Sequence, residues 1–159
     1  MSASRSIVPL PCLCANLRRA ARAVTQVYDR ALRPLGLRAT QLTLLQALER
    51  GEGITPSRLG RQLAIDATTL SRTLRPLQRR GWIASASATD RRERRLHLTP
   101  AGRRQLARAQ KRWERVQVRL RKRVGSGAWG RLMVALERVT AAVLDGGPDP
   151  QYHPHRRKP

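Results

Sequence analysis

The stretch PSRLGRQLAIDATTLSRTLRPLQRRGWI, residues 56–83, holds two short helical patterns separated by a tight turn. Thr55 and Asp66 stand where the N-caps of these helices would lie, and their side-chain oxygens can accept first-turn N–H bonds. Pro56 suits the first position of a helix, because its missing N–H has no intrahelical partner there anyway. A short helix, a three-residue turn and a second helix is the spacing of a helix-turn-helix.

The second helix, predicted over residues 67–80 and ended by Gly81, has an apolar stripe and a polar first turn. In a helix-turn-helix the start of the second helix touches base edges in the major groove. Hydroxyls can bond bases or phosphates, and arginine can pair with guanine. The residues that we assign to this role are Thr68, Thr69, Ser71 and Arg72, with Arg75, Arg79 and Arg80 further along facing phosphates or solvent. The alternative is that the hydroxyls merely cap the helix.

After Gly81 the pattern alternates, which predicts two strands, WIASAS (82–87) and RRLHLT (94–99), joined by a polar tip. A hairpin in this position makes the unit a winged helix. Its arginines, at 91, 92, 94 and 95, could enter a narrow minor groove, where the negative potential is enhanced. The candidate contacts at the wing are Asp90, Arg91, Arg92 and Arg94, and Asp90 could orient the Arg92 guanidinium.

Three longer helical patterns flank this unit, and no second sheet is predicted that could cover their apolar stripes. The fold class is therefore mainly α with a small β-hairpin wing, a winged helix-turn-helix with N- and C-terminal dimerisation helices. Within the helix that ends before Gly51, Thr40 is the expected N-cap. The predicted divisions are a flexible N-terminus (1–11), dimerisation helices (12–36 and 99–145), a DNA-binding domain (37–98) and a disordered basic tail (146–159).

Charge restricts the partners of the chain. Its 33 basic and 10 acidic residues give a net charge of +23, although part of this excess could reflect a GC-rich coding bias. Self-repulsion of this size favours an anionic partner, either nucleic acid or an anionic membrane. No apolar run is long enough for a membrane span, so the partner expected is double-stranded DNA and no membrane. Two cysteines in C-x-C spacing make no disulfide framework, which indicates a cytoplasmic protein.

The two alternative classes of function are an enzyme and a non-specific nucleic-acid-binding protein. Catalysis is not expected: of the three histidines, His97 lies on a strand and His153 and His155 lie in the tail. No catalytic triad, carboxylate pair, phosphate-binding glycine loop or zinc spacing appears, so no cofactor or metal is expected. A non-specific architectural nucleic-acid-binding protein is the stronger alternative, because counterion release alone would give such a charge affinity for DNA.

The segments 56–83 and TDRRERRLHLTPAGRR (89–104) resemble the winged helix-turn-helix core of MarR-family transcriptional regulators. The motif that supports the resemblance is D-x-R followed by L-x-L-T-x-x-G. The similarity extends over roughly residues 12–144. The resemblance implies a homodimer on a pseudo-palindromic operator, usually a repressor released by a small aromatic effector or by thiol oxidation. The family's wing arginine corresponds to Arg92. One departure is Pro76, which predicts a kink inside the second helix.

Cys12 and Cys14 open the first dimerisation helix, in PLPCLCANL. A helix N-terminus favours a thiolate, which reacts with peroxide or electrophiles, and two thiols could also hold a soft metal ion such as Cu(I). Their leucine neighbours favour the opposite interpretation, in which both are small buried apolar residues. Redox or effector sensing and plain packing are therefore both retained.

Overall fold

The computed structural model describes residues 8–51, 53–87 and 94–145 of the chain. Eight elements of regular structure and one short 3-10 helix follow one another in these residues. They are α1 (Leu13–Leu32), the 3-10 helix (Arg33–Leu35), α2 (Ala39–Arg50), α3 (Pro56–Gln62), α4 (Ala67–Arg79), β1 (Ile83–Ser87), β2 (Arg94–Leu98), α5 (Pro100–Val124) and α6 (Ser126–Asp145). The predicted fold class, helices around one small hairpin, is confirmed.

Side-chain caps define where three of the helices begin. Thr55 Oγ1 accepts the Arg58 N–H at 3.3 Å before α3, and Asp66 Oδ1 accepts the Thr69 N–H at 2.9 Å before α4. Thr99 Oγ1 accepts the Gly102 N–H at 3.0 Å before α5. Each bond satisfies a first-turn donor that has no partner inside its helix.

The expected cap at Thr40 is wrong. With that cap the helix would begin at Gln41, but α2 begins two residues earlier, at Ala39, and Arg38 is its N-cap residue. Its first N–H is bound from outside the helix, because Asp29 Oδ1, on α1, accepts the Ala39 N–H at 2.7 Å. A carboxylate at a helix N-terminus also interacts favourably with the helix dipole. The end of α1 is thereby joined to the start of α2.

One leucine-rich core holds the helix-turn-helix together. Leu70, Leu74 and Leu77 of α4 are at most 6% exposed and pack in a single cluster with leucines of α2 and α3. Leu32 of α1 and Leu106 of α5 belong to the same cluster, both at most 1% exposed. The flanking helices therefore contribute side chains to the core of the winged unit.

Helix α4 runs as α-helix through Pro76. Leu77, directly after the proline, is fully buried like the rest of the stripe, so the residues beyond Pro76 keep their place on the core-facing side. The kink that Pro76 predicts, and its effect on how these residues follow a DNA groove, stays a prediction.

The hairpin is antiparallel, with Ile83 opposite Leu98, Ser85 opposite Leu96 and Ser87 opposite Arg94. Strand β2 also forms a single bridge to the loop before α3, where the Leu96 N–H donates to the Ile54 carbonyl at 2.9 Å. Strand β2 is thus paired with β1 on one side and with Ile54 on the other. The expected tip, residues 88–93, lies outside the described residues.

The chain divides into two compact units between Val116 and Gln117. The second unit contains the end of α5 and all of α6, and none of the α6 side chains that the structure describes is buried. Gly125, with a φ of +86°, separates the two helices, as the GSG sequence predicted. None of the described helices combines the length and apolar character of a membrane span.

Candidate nucleic-acid interface

Helix α4 presents two opposite faces. Its leucine stripe is buried, whereas the predicted DNA contacts on this helix are all exposed: Thr68, Thr69, Ser71, Arg72 and Arg75. Because the stripe fixes the rotation of the helix about its axis, it also fixes which side chains point outward. The structure therefore brings the predicted contact residues of α4 together on one exposed surface.

The turn before α4 sets the position of its first residues. Ile65 N–H donates to the Gly60 carbonyl at 2.9 Å, and a Cβ on Gly60 would lie only 2.9 Å from the Ile65 oxygen. Ala64 takes up the left-handed conformation, with a φ of +51°. A residue without a side chain at position 60 thus permits the close crossing of α3 and the turn.

The cap of α4 bears on the alternative role of its hydroxyl residues. Asp66 is the N-cap, and hydrogen bonds from Thr69 lower the pKa of its carboxyl group. Because the carboxylate already accepts the first-turn N–H, Thr68 and Thr69 are not needed as caps. Thr68 is exposed and its hydroxyl is available to an outside partner, whereas the Thr69 hydroxyl also bonds the Asp66 carboxylate. The contact role is therefore favoured for Thr68.

The wing arginines are only partly described. Asp90, Arg91 and Arg92 lie outside the described residues, and Arg94, the first residue of β2, is exposed. Arg95 is exposed too, and its Nη1 donates to the Gly53 carbonyl at 3.2 Å. Among the predicted wing contacts, Arg94 is the residue that the structure describes. Its neighbour Arg95 binds the hairpin to the loop before α3.

Arg80, which the sequence assigned to phosphates or solvent, is exposed and also binds the protein. Its guanidinium donates to the Gly36 carbonyl in the connection between α1 and α2, and it lies 5.0 Å from the centre of the Trp82 ring. Cation–π stacking and a charged hydrogen bond hold the side chain against the protein. Only the tertiary structure shows this, since Gly36 is 44 residues away in sequence.

Sequence reasoning missed a set of residues beside α4. Arg33, Arg38 and Thr40 line a groove next to Arg72, Thr73 and Pro76 of α4. No sequence signal joins these positions, because the two segments are more than thirty residues apart.

Cys12 is the residue before α1 and Cys14 is its second residue, and both are exposed. Leu13, between them, is 59% exposed. Packing of these thiols into the core of their own chain, one of the two interpretations retained above, is therefore not observed. The cysteines and Asp29 stand near opposite ends of α1, which at about 1.5 Å per residue places them about 25 Å apart.

Comparison with known proteins gives concordant results. The MarR family model matches residues 35–93. The transcriptional regulator MosR of M. tuberculosis, solved in complex with DNA, is 34% identical; the match covers 86% of this chain and 98% of MosR, with a TM-score of 0.77. The transcriptional repressor CouR, bound to a 23-mer DNA duplex, is 26% identical, with coverages of 84% and 99% and a TM-score of 0.75.

A relative from Bacillus subtilis (strain 168), the HTH-type transcriptional regulator YwoH, is 26% identical over 107 residues, which are 67% of this chain and 73% of YwoH. The fold, the exposed first turn of α4 and these similarities define a winged helix-turn-helix protein, a DNA-binding transcriptional regulator. The chain belongs to the MarR family.

Proposed function

We propose that the protein is a cytoplasmic homodimeric repressor that binds a pseudo-palindromic operator. The start of α4 reads bases in the major groove through Thr68, Thr69, Ser71 and Arg72. The wing, through Arg91, Arg92 and Arg94, enters the adjacent minor groove, with Asp90 orienting Arg92. In a dimer the two α4 helices meet half-sites about 10 bp apart, or a multiple of that distance.

The observation that carries the proposal is the exposed polar first turn of α4, set on a buried leucine stripe and capped by Asp66 rather than by its own hydroxyls. CouR, a repressor by its name, and MosR were both solved with DNA, which supports double-stranded DNA as the partner and repression as the outcome.

The test begins with genome-wide mapping of bound sites, which yields an operator, followed by titration of that duplex and a scrambled duplex of equal length. The parent should prefer the operator at physiological salt, and Arg92→Ala should lose most of this preference because the minor groove is emptied. Arg131→Ala, an exposed arginine on α6, is the matched control. Unchanged operator binding by Arg92→Ala would refute the wing assignment.

The same titrations decide on the architectural alternative, which the net charge of +23 favours. Specific regulators bind their sites typically 10³–10⁷ times more tightly than other DNA, roughly speaking. Equal affinity of the parent for operator and scrambled duplex would establish a non-specific binder. A salt dependence alone decides nothing, because both classes release counterions.

The dimer is part of the proposal, with helices 12–36 and 99–145 forming its interface and residues 37–98 the DNA-binding domain. Support comes from exposed apolar side chains on α6, among them Leu132, Met133 and Leu136, each at least 37% exposed. Exposed apolar groups clustered in this way mark interaction surfaces.

Release of the operator completes the proposal, either through a small aromatic effector held between the dimerisation helices and the winged unit, or through thiol modification at Cys12 and Cys14. The exposure of both cysteines supports the thiol route. Hydrogen bonds also hold the segment that precedes α1. Arg19 Nη1 donates to the Val8 carbonyl at 2.6 Å, and Asn16 Nδ2 donates to the Cys12 carbonyl at 3.0 Å.

Operator binding should therefore be titrated against peroxide and against Cu(I), in the parent and in Cys12→Ser and Cys14→Ser. Loss of binding in the parent, with resistance in a serine variant, supports thiol release, and non-reducing electrophoresis then separates subunit cross-links from mixed disulfides. If neither reagent affects the parent, the aromatic effector is the remaining route, and a screen of phenolic carboxylates for operator release follows.

A further inference from the structure

A groove of about 770 Å³ lies along the side of α4, within the first compact unit. Its walls are the end of α1, the connection to α2, the first turn of α2 and one face of α4. We call it the α2–α4 groove. Its arginines are Arg33 and Arg38 of the connection, Arg72 of α4 and Arg80 directly after α4, and Asp29 of α1 adds a carboxylate.

The positive charge of the α2–α4 groove exceeds its negative charge. Asp29 directs Oδ1 to the Ala39 N–H, and Arg80 is held by the Gly36 carbonyl and the Trp82 ring. Arg33, Arg38 and Arg72 are exposed. Guanidinium groups gathered around a concavity repel one another unless an anion lies between them, and their planar donors match the oxygens of phosphate or carboxylate.

The place of the groove on α4 indicates where the anion comes from. Arg72 lines the groove and also belongs to the exposed first turns assigned to base reading, so the two surfaces are continuous. A helix about 10–12 Å across fills a major groove about 12 Å wide, and the phosphate backbone then flanks the helix. The face formed by Thr73, Pro76 and Arg80 is thus next to the backbone when the first turn faces the bases.

The first turn of α2 adds a hydroxyl to this wall. Because Arg38 is the N-cap residue of α2 and Asp29 accepts the Ala39 N–H, Thr40 has no capping role and lines the groove instead. Hydroxyl and guanidinium donors are the side chains that most often contact phosphate oxygens in protein–DNA complexes.

We propose that the α2–α4 groove is an oxyanion site, and that in the DNA complex it holds a backbone phosphate beside the major groove in which α4 lies. The inference rests on the proposed operator binding. It gives Arg33, Arg38 and Thr40, outside the helix-turn-helix and wing, the role of holding the register of α4 on the duplex.

The experiment compares Arg33→Gln and Arg38→Gln with Arg50→Gln, which removes an exposed arginine from the opposite end of α2. Affinity for the operator and for the scrambled duplex is measured over a range of salt concentrations. Each groove variant should bind both duplexes more weakly by the same factor. The slope of log K against log salt should become less steep by about 0.9, the value for one phosphate contact. Arg50→Gln should match the parent.

Groove variants that titrate like Arg50→Gln would overturn the DNA-phosphate assignment. A parent that does not prefer its operator would instead refute the proposed function, so the two failures are distinguishable. A second measurement uses the protein without DNA, with thermal unfolding in inorganic phosphate and in chloride at equal ionic strength.

Phosphate should raise the Tm of the parent more than that of Arg38→Gln, and an equal effect on both would overturn the oxyanion site itself. A phosphate effect without any change in DNA affinity would overturn the backbone assignment and show that the groove takes a free anion.

Discussion

Gly102, in the first turn of α5, lies very close to the backbone before β1. A Cβ there would lie 2.0 Å from the Trp82 carbonyl oxygen and 2.9 Å from its carbonyl carbon. Backbone atoms on both sides cannot move without displacing β1 or α5. The glycine in the motif L-x-L-T-x-x-G therefore has a steric reason in this chain.

We expect Gly102→Ala to destabilise the protein by about 3 kcal/mol or more, the upper end of overpacking costs. Thermal or urea unfolding measures this. Gly130→Ala, on α6, is the control: a Cβ there meets nothing within 4 Å, and alanine favours a helix by about 1 kcal/mol over glycine. Equal stability of Gly102→Ala and the parent would contradict the packing of α5 on Trp82.

Asp66 makes the stability of α4 depend on pH. Hydrogen bonds from Thr69 lower the pKa of its carboxyl group below the ordinary value of 3.8. A lowered pKa in the folded state means that the carboxylate stabilises the fold above the unfolded pKa, and that this contribution disappears as the pH falls through the folded pKa.

Asp66→Ala should accordingly lower the Tm at neutral pH, and its difference from the parent should shrink below about pH 4. Asp66→Asn keeps an oxygen acceptor and should retain most of the cap without the pH dependence. Glu49→Ala, another exposed carboxylate, provides the control. A Tm difference for Asp66→Ala that is constant from pH 2 to pH 7 would contradict the role of the charged cap.

Arg72 is the residue of α4 at which a base contact can be distinguished from a phosphate contact. As a base contact it should contribute about 1–3 kcal/mol, and Arg72→Ala should relax preference at one operator position. Binding to a set of operators with single base-pair changes measures this. A uniform loss over all of these operators would assign Arg72 to the phosphate in the α2–α4 groove instead.

At the scale of elements, the connection between α1 and α2 is held from three directions. Asp29 of α1 binds the Ala39 N–H, Arg80 after α4 binds the Gly36 carbonyl, and Gln105 of α5 donates to the Leu35 carbonyl at 2.8 Å. Gln105 is 7% exposed, so its amide is removed from water and its bond to the connection is not readily replaced. The connection thereby links two flanking helices to the end of the recognition helix.

Gln105→Leu removes this donor and leaves the Leu35 carbonyl without its partner. The free energy of unfolding should fall by about 1–3 kcal/mol. Urea unfolding at constant slope measures the change. The control is Gln110→Leu, which breaks the half-buried bond between Gln46 and Gln110 at 3.0 Å and should cost less, because water can reach that site. A smaller loss in Gln105→Leu than in Gln110→Leu would contradict the importance of the connection.

For the whole molecule, the exposed apolar side of α6 should be the surface that pairs two chains. Leu136 is 37% exposed and lines an apolar hollow with Met133 and Leu144. A buried leucine contributes about 1.5–3 kcal/mol, and a carboxylate in the same place would be desolvated without a partner.

Leu136→Asp should therefore dissociate or unfold the protein, whereas Ala142→Asp, which places the same charge on an exposed residue outside that hollow, should leave assembly unchanged. Analytical ultracentrifugation gives the mass and circular dichroism the folded state. A stable folded monomer of the parent at micromolar concentration would refute the dimer.

The sequence by itself determined the local features of this protein. Helix and strand limits follow from periodicity and from caps such as Thr55 and Asp66, because these signals act over three or four residues and need no distant partner. The polar first turn of α4 was likewise readable, since its position relative to the leucine stripe is fixed by short-range geometry.

The tertiary structure alone decided which distant residues meet. Thr40 is not the cap because α2 begins at Ala39, where Asp29, ten residues before Ala39 and on another element, accepts the N–H. Arg80 is bound to the protein because the connection at Gly36 packs beside the end of α4. Arg33 and Arg38 lie beside Arg72 for the same reason: the leucine core, which has no directional preference of its own, brings α1, α2 and α4 together, and charge patterns along the chain do not encode that meeting.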